Sequence, residues 1–448
     1  MRLEGQRAGC ARRTGPDVQR GCVSRDAGED LRPADRVERG DRDMQYAGID
    51  IAKRAHVVGV RCEDGTPHGK PFKFANDRQG FASLLKRLAE LGAGPDDCLL
   101  VMESTGHYWL ALWEFAVAHG YDVAVVNPVL TDAFRKADTL RKTKTDDIDA
   151  FLIAEYARFK ELGPSRVSPE DAEGLKQLTR YRHSLVSERT ALKNRLTAVA
   201  DRTFPELSAL VGGNDSATML ALMGRFGSAA AIARANVRTI EKVMREASRG
   251  HYGREEADRV KAAAKASVGT DFAARALSAE AESLTRLIGV MNEEVKELDR
   301  QIADLLDPEV GAILQSIPGI GPVCASQIAA EIGDPDRFDT PGQLFAYGGL
   351  DATKAQSGQL DGESGQHMSK RGSSHLRYAL MTAADKARQN DPYFGDYYDH
   401  LTEHRGKHHY VALSAVARKL CGVILALLRE RRMYERRPPV AYPAEAAK

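Results

Sequence analysis

The sequence predicts an α/β N-terminal domain, a helical coiled-coil region and a mainly α C-terminal domain. Three observations carry this. Short β-rich runs alternate with amphipathic helices between Tyr46 and Phe159. From Leu277 to Leu305 the apolar residues recur in alternating steps of four and three. After Asp307-Pro308, glycine-punctuated apolar helices follow one another.

The N-terminal elements follow in order. Residues 1–43 are rich in Arg, Asp, Glu and Gly, contain no Lys and show no apolar period. Such a segment cannot bury enough surface to offset its ordering entropy and is expected to be disordered. Met44 directly precedes the first convincing strand and is a candidate translation start. Tyr46–Ile51, Ala55–Arg61 and Lys70–Phe74 read as strands. Phe81, Leu84, Leu85, Leu88 and Leu91 fall at helical spacing. Cys98–Met102 is an apolar strand ending at Glu103, Tyr108–His119 an apolar helix stopped by Gly120, and Tyr121–Val126 a strand closed by Asn127-Pro128. A basic loop and a helix from Thr145 to about Phe159 complete a mixed sheet with helices packed against it.

The loop and helix start, Leu140-Arg-Lys-Thr-Lys-Thr-Asp-Asp-Ile-Asp-Ala150, organise the rest. Thr145 is a cap residue, and acids in a first turn suit the helix dipole. Asp146 and Asp149, three apart, share one helix face, whereas Asp147 points elsewhere. Lys142 and Lys144 precede them and suit an arriving polyanion. Asp50 and Glu103 stand at strand ends, where ligands of open α/β sheets gather. Four carboxylates from three elements would repel one another without a divalent cation, and Mg²⁺ suits oxygen ligands. The plain alternative is a capped, solvated helix start, a turn aspartate and a surface glutamate.

Bulk properties constrain the class. The 448 residues suffice for two or three domains, and 43% hydrophobic content is globular. A net charge of +1 does not announce a nucleic-acid partner, so such a partner must be recognised by local basic patches. Cys10, Cys22, Cys62, Cys98, Cys324 and Cys421 form no Cys-x-x-Cys pair, which argues against a zinc module or a disulfide framework and fits a reducing cytoplasm. No apolar run is expected to span a membrane, and no signal-peptide core is expected.

Leu175–Val199 reads as a helix whose Arg180, Arg182, Arg189, Lys193 and Arg195 form either a solvated face or a phosphate-tracking face. The seam at 277–305 must find another helix. A second copy of the chain is the favoured partner and residues 175–199 the alternative. Ile317-Pro-Gly-Ile-Gly-Pro322 resembles a helix-hairpin-helix turn, in which Gly319 and Gly321 would let backbone N–H groups reach a DNA phosphate. The alternative is a plain interhelix turn. Residues 351–375 form a long polar loop, with Lys370 and Arg371 suited to hold phosphate and five serines qualifying as nucleophiles by type alone. His404, His408 and His409 read as a solvent-facing or phosphate-contacting patch, because no acidic or cysteine partner keeps ligand spacing.

Taken together, these residues resemble the DEDD-type insertion-sequence transposases of the insertion-sequence 110 family, with the Piv-like recombinases. The resemblance runs from Met44 to about Arg432. It rests on Ile49-Asp50-Ile-Ala-Lys53, Glu103-Ser-Thr-Gly106, Lys144-Thr-Asp-Asp-Ile-Asp-Ala150, Ile317-Pro-Gly-Ile-Gly321, Gln356-Ser-Gly358, Ser369-Lys-Arg-Gly372 and Val411-Ala-Leu-Ser-Ala-Val-Ala-Arg-Lys419. It implies a RuvC-like, RNase H-type domain over 44–160 holding Asp50, Glu103, Asp146 and Asp149 around Mg²⁺. It further implies a helical and coiled-coil region over 161–306 that joins protomers, and a transposase domain over 307–432 followed by a tail at 433–448. The serine of the family's Ser-Gly pair maps onto Ser357, which would form a covalent phosphoserine link to DNA. The resemblance also implies a noncoding guide RNA from the element and a homo-oligomer, dimer or tetramer.

The expected function is therefore Mg-assisted serine attack on DNA phosphates, excising and inserting an element, with no membrane partner. Two other readings stand beside it. One is a metal-dependent junction endonuclease using water, which would leave no covalent adduct. The other is a coiled-coil nucleic-acid scaffold, which would be marked by a lost carboxylate.

Overall fold

The computed structural model describes residues 43–138, 145–165, 170–351 and 368–438. Residues 1–42 of the expected extension over 1–43, the basic-loop residues Lys142 and Lys144, and Ser357 lie outside the described residues. The chain divides into two compact units, one up to residue 166 and one from residue 167.

The first unit is built on five strands: β1 (Gln45–Asp50), β2 (Ala55–Arg61), β3 (Phe72–Ala75), β4 (Cys98–Glu103) and β5 (Asp122–Val126). Their order in the sheet is β3-β2-β1-β4-β5. The pairs β1–β2 and β2–β3 are antiparallel, whereas β1–β4 and β4–β5 are parallel. Four helices accompany them: α1 (Arg78–Glu90), α2 (Leu110–Ala118), α3 (Pro128–Asp138) and α4 (Asp146–Phe159). Side chains alternate across the sheet. Ala47, Ile49, Leu100 and Met102 pack with Phe81, Leu84 and Leu88 of α1 and Leu112 of α2. The opposite face carries Leu99, Val101, Ala124 and Val126 against Ile153, Tyr156 and Ala157 of α4.

One element departs from the sequence reading. Residues 128–138, expected to be part of a basic loop, form α3. Asn127 supplies the start, its Oδ1 accepting from the Val129 N–H at 3.0 Å, and Pro128 occupies the first turn, where its missing N–H costs nothing.

The second unit is helical. It begins with α5 (Glu170–Thr203) and five shorter helices, α6 (Leu207–Leu210), α7 (Ala217–Phe226), α8 (Ala229–Arg234), α9 (Val237–Ala247) and α10 (Arg254–Ala266). The heptad segment is α11 (Ala274–Leu305). Then come α12 (Pro308–Gln315), α13 (Pro322–Ile332), α14 (Pro341–Tyr347), α15 (Ser374–Asn390), α16 (Pro392–Asp399) and α17 (His409–Glu430).

The seam of α11 is filled from within the chain, which corrects the favoured pairing of two copies through it. Leu298 and Val295 pack on Leu185 of α5, and Ile302 packs with Leu175. Leu277, Ala281, Leu284 and Ile288 join Leu196, Met219 and Met223 in the core formed with α5 and α7. Most of the basic residues of α5 bond within the chain, while Arg195 is exposed. Arg182 pairs with Asp299, Arg189 donates to Asn292 Oδ1 at 2.9 Å, and Lys193 lies 3.2 Å from Asp215.

The expectation that no run could span a membrane also needs correction. By length and composition α17 passes that test, with a mean hydropathy of 2.0. Its apolar residues form the centre of the C-terminal core, where Leu420, Ile424 and Val416 are fully buried beside Leu380 and Phe394. Among the described residues Cys62, Cys98, Cys324 and Cys421 are free thiols.

Candidate active site and its family

The site is assembled by one close approach. Gly48 lies on the α4 face of β1, and a Cβ added there would stand 2.2 Å from the Ala150 carbonyl oxygen and 2.3 Å from the Ala154 nitrogen. Only glycine lets the helix backbone sit this low on the strand. On β2 the Phe151 ring rests on Gly59, and the Phe151 carbonyl accepts from Arg61 Nε at 3.2 Å. Farther along α4, Arg158 reaches the Glu63 carbonyl just past the end of β2. Because β2 runs antiparallel to β1, α4 runs against β1, with its N-terminus over the C-terminal end of that strand.

That end carries the acids. Ile49 and Met102 are register partners in parallel strands, so Asp50 and Glu103 are the next pair, side by side. Both alternate onto the face that carries α4. Asp146 and Asp149 open α4, capped by Thr145, whose hydroxyl accepts from the Ile148 N–H at 3.3 Å. Asp50, Glu103 and Asp149 are half-buried, whereas Asp146 and Asp147 are exposed.

Glu103 is held by hydroxyls. The Thr131 hydroxyl, 1% exposed on α3, donates to Glu103 Oε1 and also lies 3.0 Å from the Pro128 carbonyl. Thr105 Oγ1 approaches Oε2 at 3.4 Å. Arg135, also on α3, pairs with Asp132 and lies in the field of Asp149 and Glu103. Bonds from Lys136, at 2.6 Å, and from Arg135 hold Asp132 down at about 2. The sequence reading missed Thr131 and Arg135 because it missed α3. The signal was present in Asn127-Pro128, the chemistry of a helix start.

Among the described residues, no three His, Cys, Asp or Glu side chains stand as a ready-made metal cage. The donor set nevertheless fits Mg²⁺, because all four groups offer oxygen. Mg²⁺ usually takes one or two carboxylates, keeps waters and completes its shell with substrate phosphate.

In the second unit the expected phosphate contacts are distributed differently. The turn between α12 and α13 contains both glycines. Gly319, at φ +90°, faces the Lys386 backbone of α15, where an added Cβ would come within 2.7 Å. Its glycine is therefore explained by packing. Gly321 caps α13 in open space. Lys370 and Arg371 are exposed, Lys370 with φ +53°. Ser369 N–H donates to the Asp351 carbonyl at 2.8 Å and Lys370 N–H to that of Gly349 at 3.0 Å, so residues 349–351 and 369–370 lie side by side.

Beneath them is a buried network that the sequence did not announce. Glu331, with a fully buried side chain, accepts from Arg180 Nε and Nη2 at 2.6 and 2.9 Å and from Ser373 Oγ at 2.7 Å. Burial pushes its carboxyl up, but the bonds from Arg180 and Ser373 outweigh this and hold it below the usual glutamate value. Ser373 in turn caps α15. The histidines act as aromatic and capping groups. His409 Nδ1 lies 2.7 Å from the Tyr398 hydroxyl, and His408 Nδ1 accepts from the Tyr410 N–H at 3.3 Å.

Two protein-family models match the chain. One, described as Transposase, covers residues 47–205, and the other, described as Transposase IS116/IS110/IS902 family, covers residues 311–399. The chain is 30% identical over 305 residues to the Insertion element IS110 uncharacterized 43.6 kDa protein of Streptomyces coelicolor, covering 66% of this chain and 74% of that protein. It is 26% identical over 407 residues to the Insertion element IS116 uncharacterized 44.8 kDa protein of Streptomyces clavuligerus, 90% of this chain and 99% of that one. It is 26% identical over 411 residues to the Pilin gene-inverting protein of Moraxella bovis, 88% of this chain and 98% of that one. The chain belongs to the IS116/IS110/IS902 family of insertion-sequence transposases, enzymes that recombine DNA.

Proposed function

We propose that the chain excises and inserts its own insertion element by serine attack on DNA phosphates, with Mg²⁺ held by Asp50, Glu103, Asp146 and Asp149. The observation that supports the metal site is the shared position of these acids. Asp50 and Glu103 end adjacent parallel strands, and α4 brings its first turn over the same sheet end. The strand order and the flanking helices are consistent with an RNase H-like domain.

Mg²⁺ bound there would supply charge neutralisation on the scissile phosphate and ease ionisation of a hydroxyl. Thr131 and Thr105 orient Glu103. Ser357 Oγ attacks phosphorus and forms a phosphoserine ester as a DNA oxygen leaves with a proton. A hydroxyl of the recipient strand then attacks the ester, restores the DNA phosphodiester and returns the proton to serine. No phosphodiester energy is lost, which is why a serine and a metal site belong in one enzyme.

DNA ends are the substrates. The resemblance further supports guidance by an element-encoded noncoding RNA. Joining two duplexes needs at least two active sites, so an oligomer is part of the reading, through surfaces other than the α11 seam. The test is strand exchange by Ser357→Ala in full-length protein with Mg²⁺. Strand exchange is expected to vanish while DNA and RNA binding persist. Unimpaired recombination by this variant would overturn the serine role.

A further inference from the structure

Resting on the reading of a nucleic-acid recombinase, we propose that α15 and α17 form a stacking pocket for an unpaired nucleotide, centred on Tyr378 and Tyr410. Both rings are solvent-facing, 53% and 64% exposed, although large aromatics normally bury their area. They line one cavity of 710 Å³, together with Met368, Lys370, Ser374, Arg377 and Met381. That volume lies within the range of roughly 300–1,000 Å³ typical of small-ligand sites.

Each ring has a histidine ring as a neighbour. His183 of α5 meets Tyr378 edge-on at 4.6 Å between centroids, and His409 meets Tyr410 at 5.0 Å. His408 adds a stacked contact to Tyr410 at 5.9 Å.

The chemistry of the walls selects the ligand. Among the described residues no carboxylate lines the cavity, while Lys370 and Arg377 bring positive charge to it. Arg377 is fixed by donating Nη1 to the Gly348 carbonyl at 3.0 Å, so its charge is positioned without being neutralised. The two methionines offer polarizable apolar surface for a ring, and the Ser374 hydroxyl offers a hydrogen bond to a base edge or sugar. Aromatic faces with interleaved cations fit a single strand, whose bases are free to stack. A duplex, whose bases already stack on one another, offers no such face.

The test uses the full-length protein and 12-nucleotide single strands, DNA and RNA of matched sequence, each carrying one 2-aminopurine. The wild type is expected to quench the fluorophore in at least one polymer, and the polymer quenched identifies the source of the unpaired base. Tyr378→Leu and Tyr410→Leu keep apolar bulk at exposed positions without the ring. Each is expected to weaken single-strand binding by about 5- to 150-fold and to abolish quenching, while Tyr410→Phe retains both. Binding of a matched blunt duplex is expected to stay within twofold. Unchanged single-strand binding by both leucine variants would overturn the pocket. So would an equal loss in Tyr410→Phe, or an equal loss of duplex binding. The assay needs neither Mg²⁺ nor Ser357. Tyrosine-dependent binding by a protein that exchanges no strands counts against the recombination mechanism alone. Strand exchange by a protein whose single-strand binding ignores both tyrosines counts against the pocket alone.

Discussion

The Ala150 carbonyl oxygen occupies the space that a side chain on Gly48 would fill, 2.2 Å from the position of its Cβ. Two backbones touch there, and the contact sets the height of α4 above β1 and hence the position of Asp146 and Asp149 relative to Asp50. Gly48→Ala must lift the helix or bend the strand. Overpacking typically costs about 1–3 kcal/mol, and a backbone clash belongs at the top of that range or beyond. Thermal unfolding is expected to show this loss in the first unit, and an unshifted melting temperature would refute the packing.

Thr131 acts through Glu103. Its buried hydroxyl orients one carboxylate oxygen. Thr131→Val keeps the shape and removes the bond. Loss of such a supporting partner typically costs about 10- to 100-fold in metal affinity or activity. The Mg²⁺ concentration giving half-maximal strand exchange is expected to rise by that factor, with Thr131→Ser close to wild type. Equal Mg²⁺ dependence in the valine and wild-type proteins would contradict the role.

Glu331 makes stability depend on pH. Its folded pKa lies below its unfolded value near 4.5, so its contribution is present above that value and is lost as pH falls through the folded pKa. Glu331→Ala leaves Arg180 and Ser373 without their acceptor, and breaking a buried pair costs about 3–5 kcal/mol. The variant is expected to unfold earlier at pH 7. The wild type should lose part of that advantage below about pH 4.5. A denaturant midpoint for wild type and Glu331→Gln that falls in parallel with pH would contradict this assignment.

The positions of the four acids in the fold were legible in the sequence because each lies at an element boundary that local chemistry announces: an apolar run ending in Asp50, another ending in Glu103, and a threonine cap before Asp146. The strands and α4 followed from the same periodicities. Helix α3 was legible only at its start, in Asn127-Pro128, because Lys136 and Arg135 blend the rest into the basic segment that follows. The partner of α11 was not legible. A heptad seam states that another helix is required but not which one, and the choice of α5 rests on pairs such as Arg182–Asp299, 117 residues apart in the chain. The same holds for Arg180, whose charge reads in sequence as solvated or phosphate-facing and whose guanidinium is bound by the buried Glu331, 151 residues away. Ser357 rests on the resemblance, because residue type alone left five serines open.

Asp50→Asn and Glu103→Gln each remove a charge at the strand ends while keeping size. Both proteins are expected to fold and to bind DNA as wild type does. Strand exchange is expected to fall by at least about 100-fold, the lower range for losing a group that acts on the reacting phosphate. Gel-based recombination assays across an Mg²⁺ series check this, and full activity in either variant would remove that acid from the site.

Covalent trapping offers the most direct measurement. The wild-type protein is incubated with Mg²⁺ and nicked element-end DNA, denatured and digested, and the DNA-linked peptide is sequenced by mass spectrometry. The linked residue is expected to be Ser357, with no adduct from Asp50→Asn or Ser357→Ala. Strand cleavage that leaves no protein–DNA link, or a link at any other residue, would contradict the account.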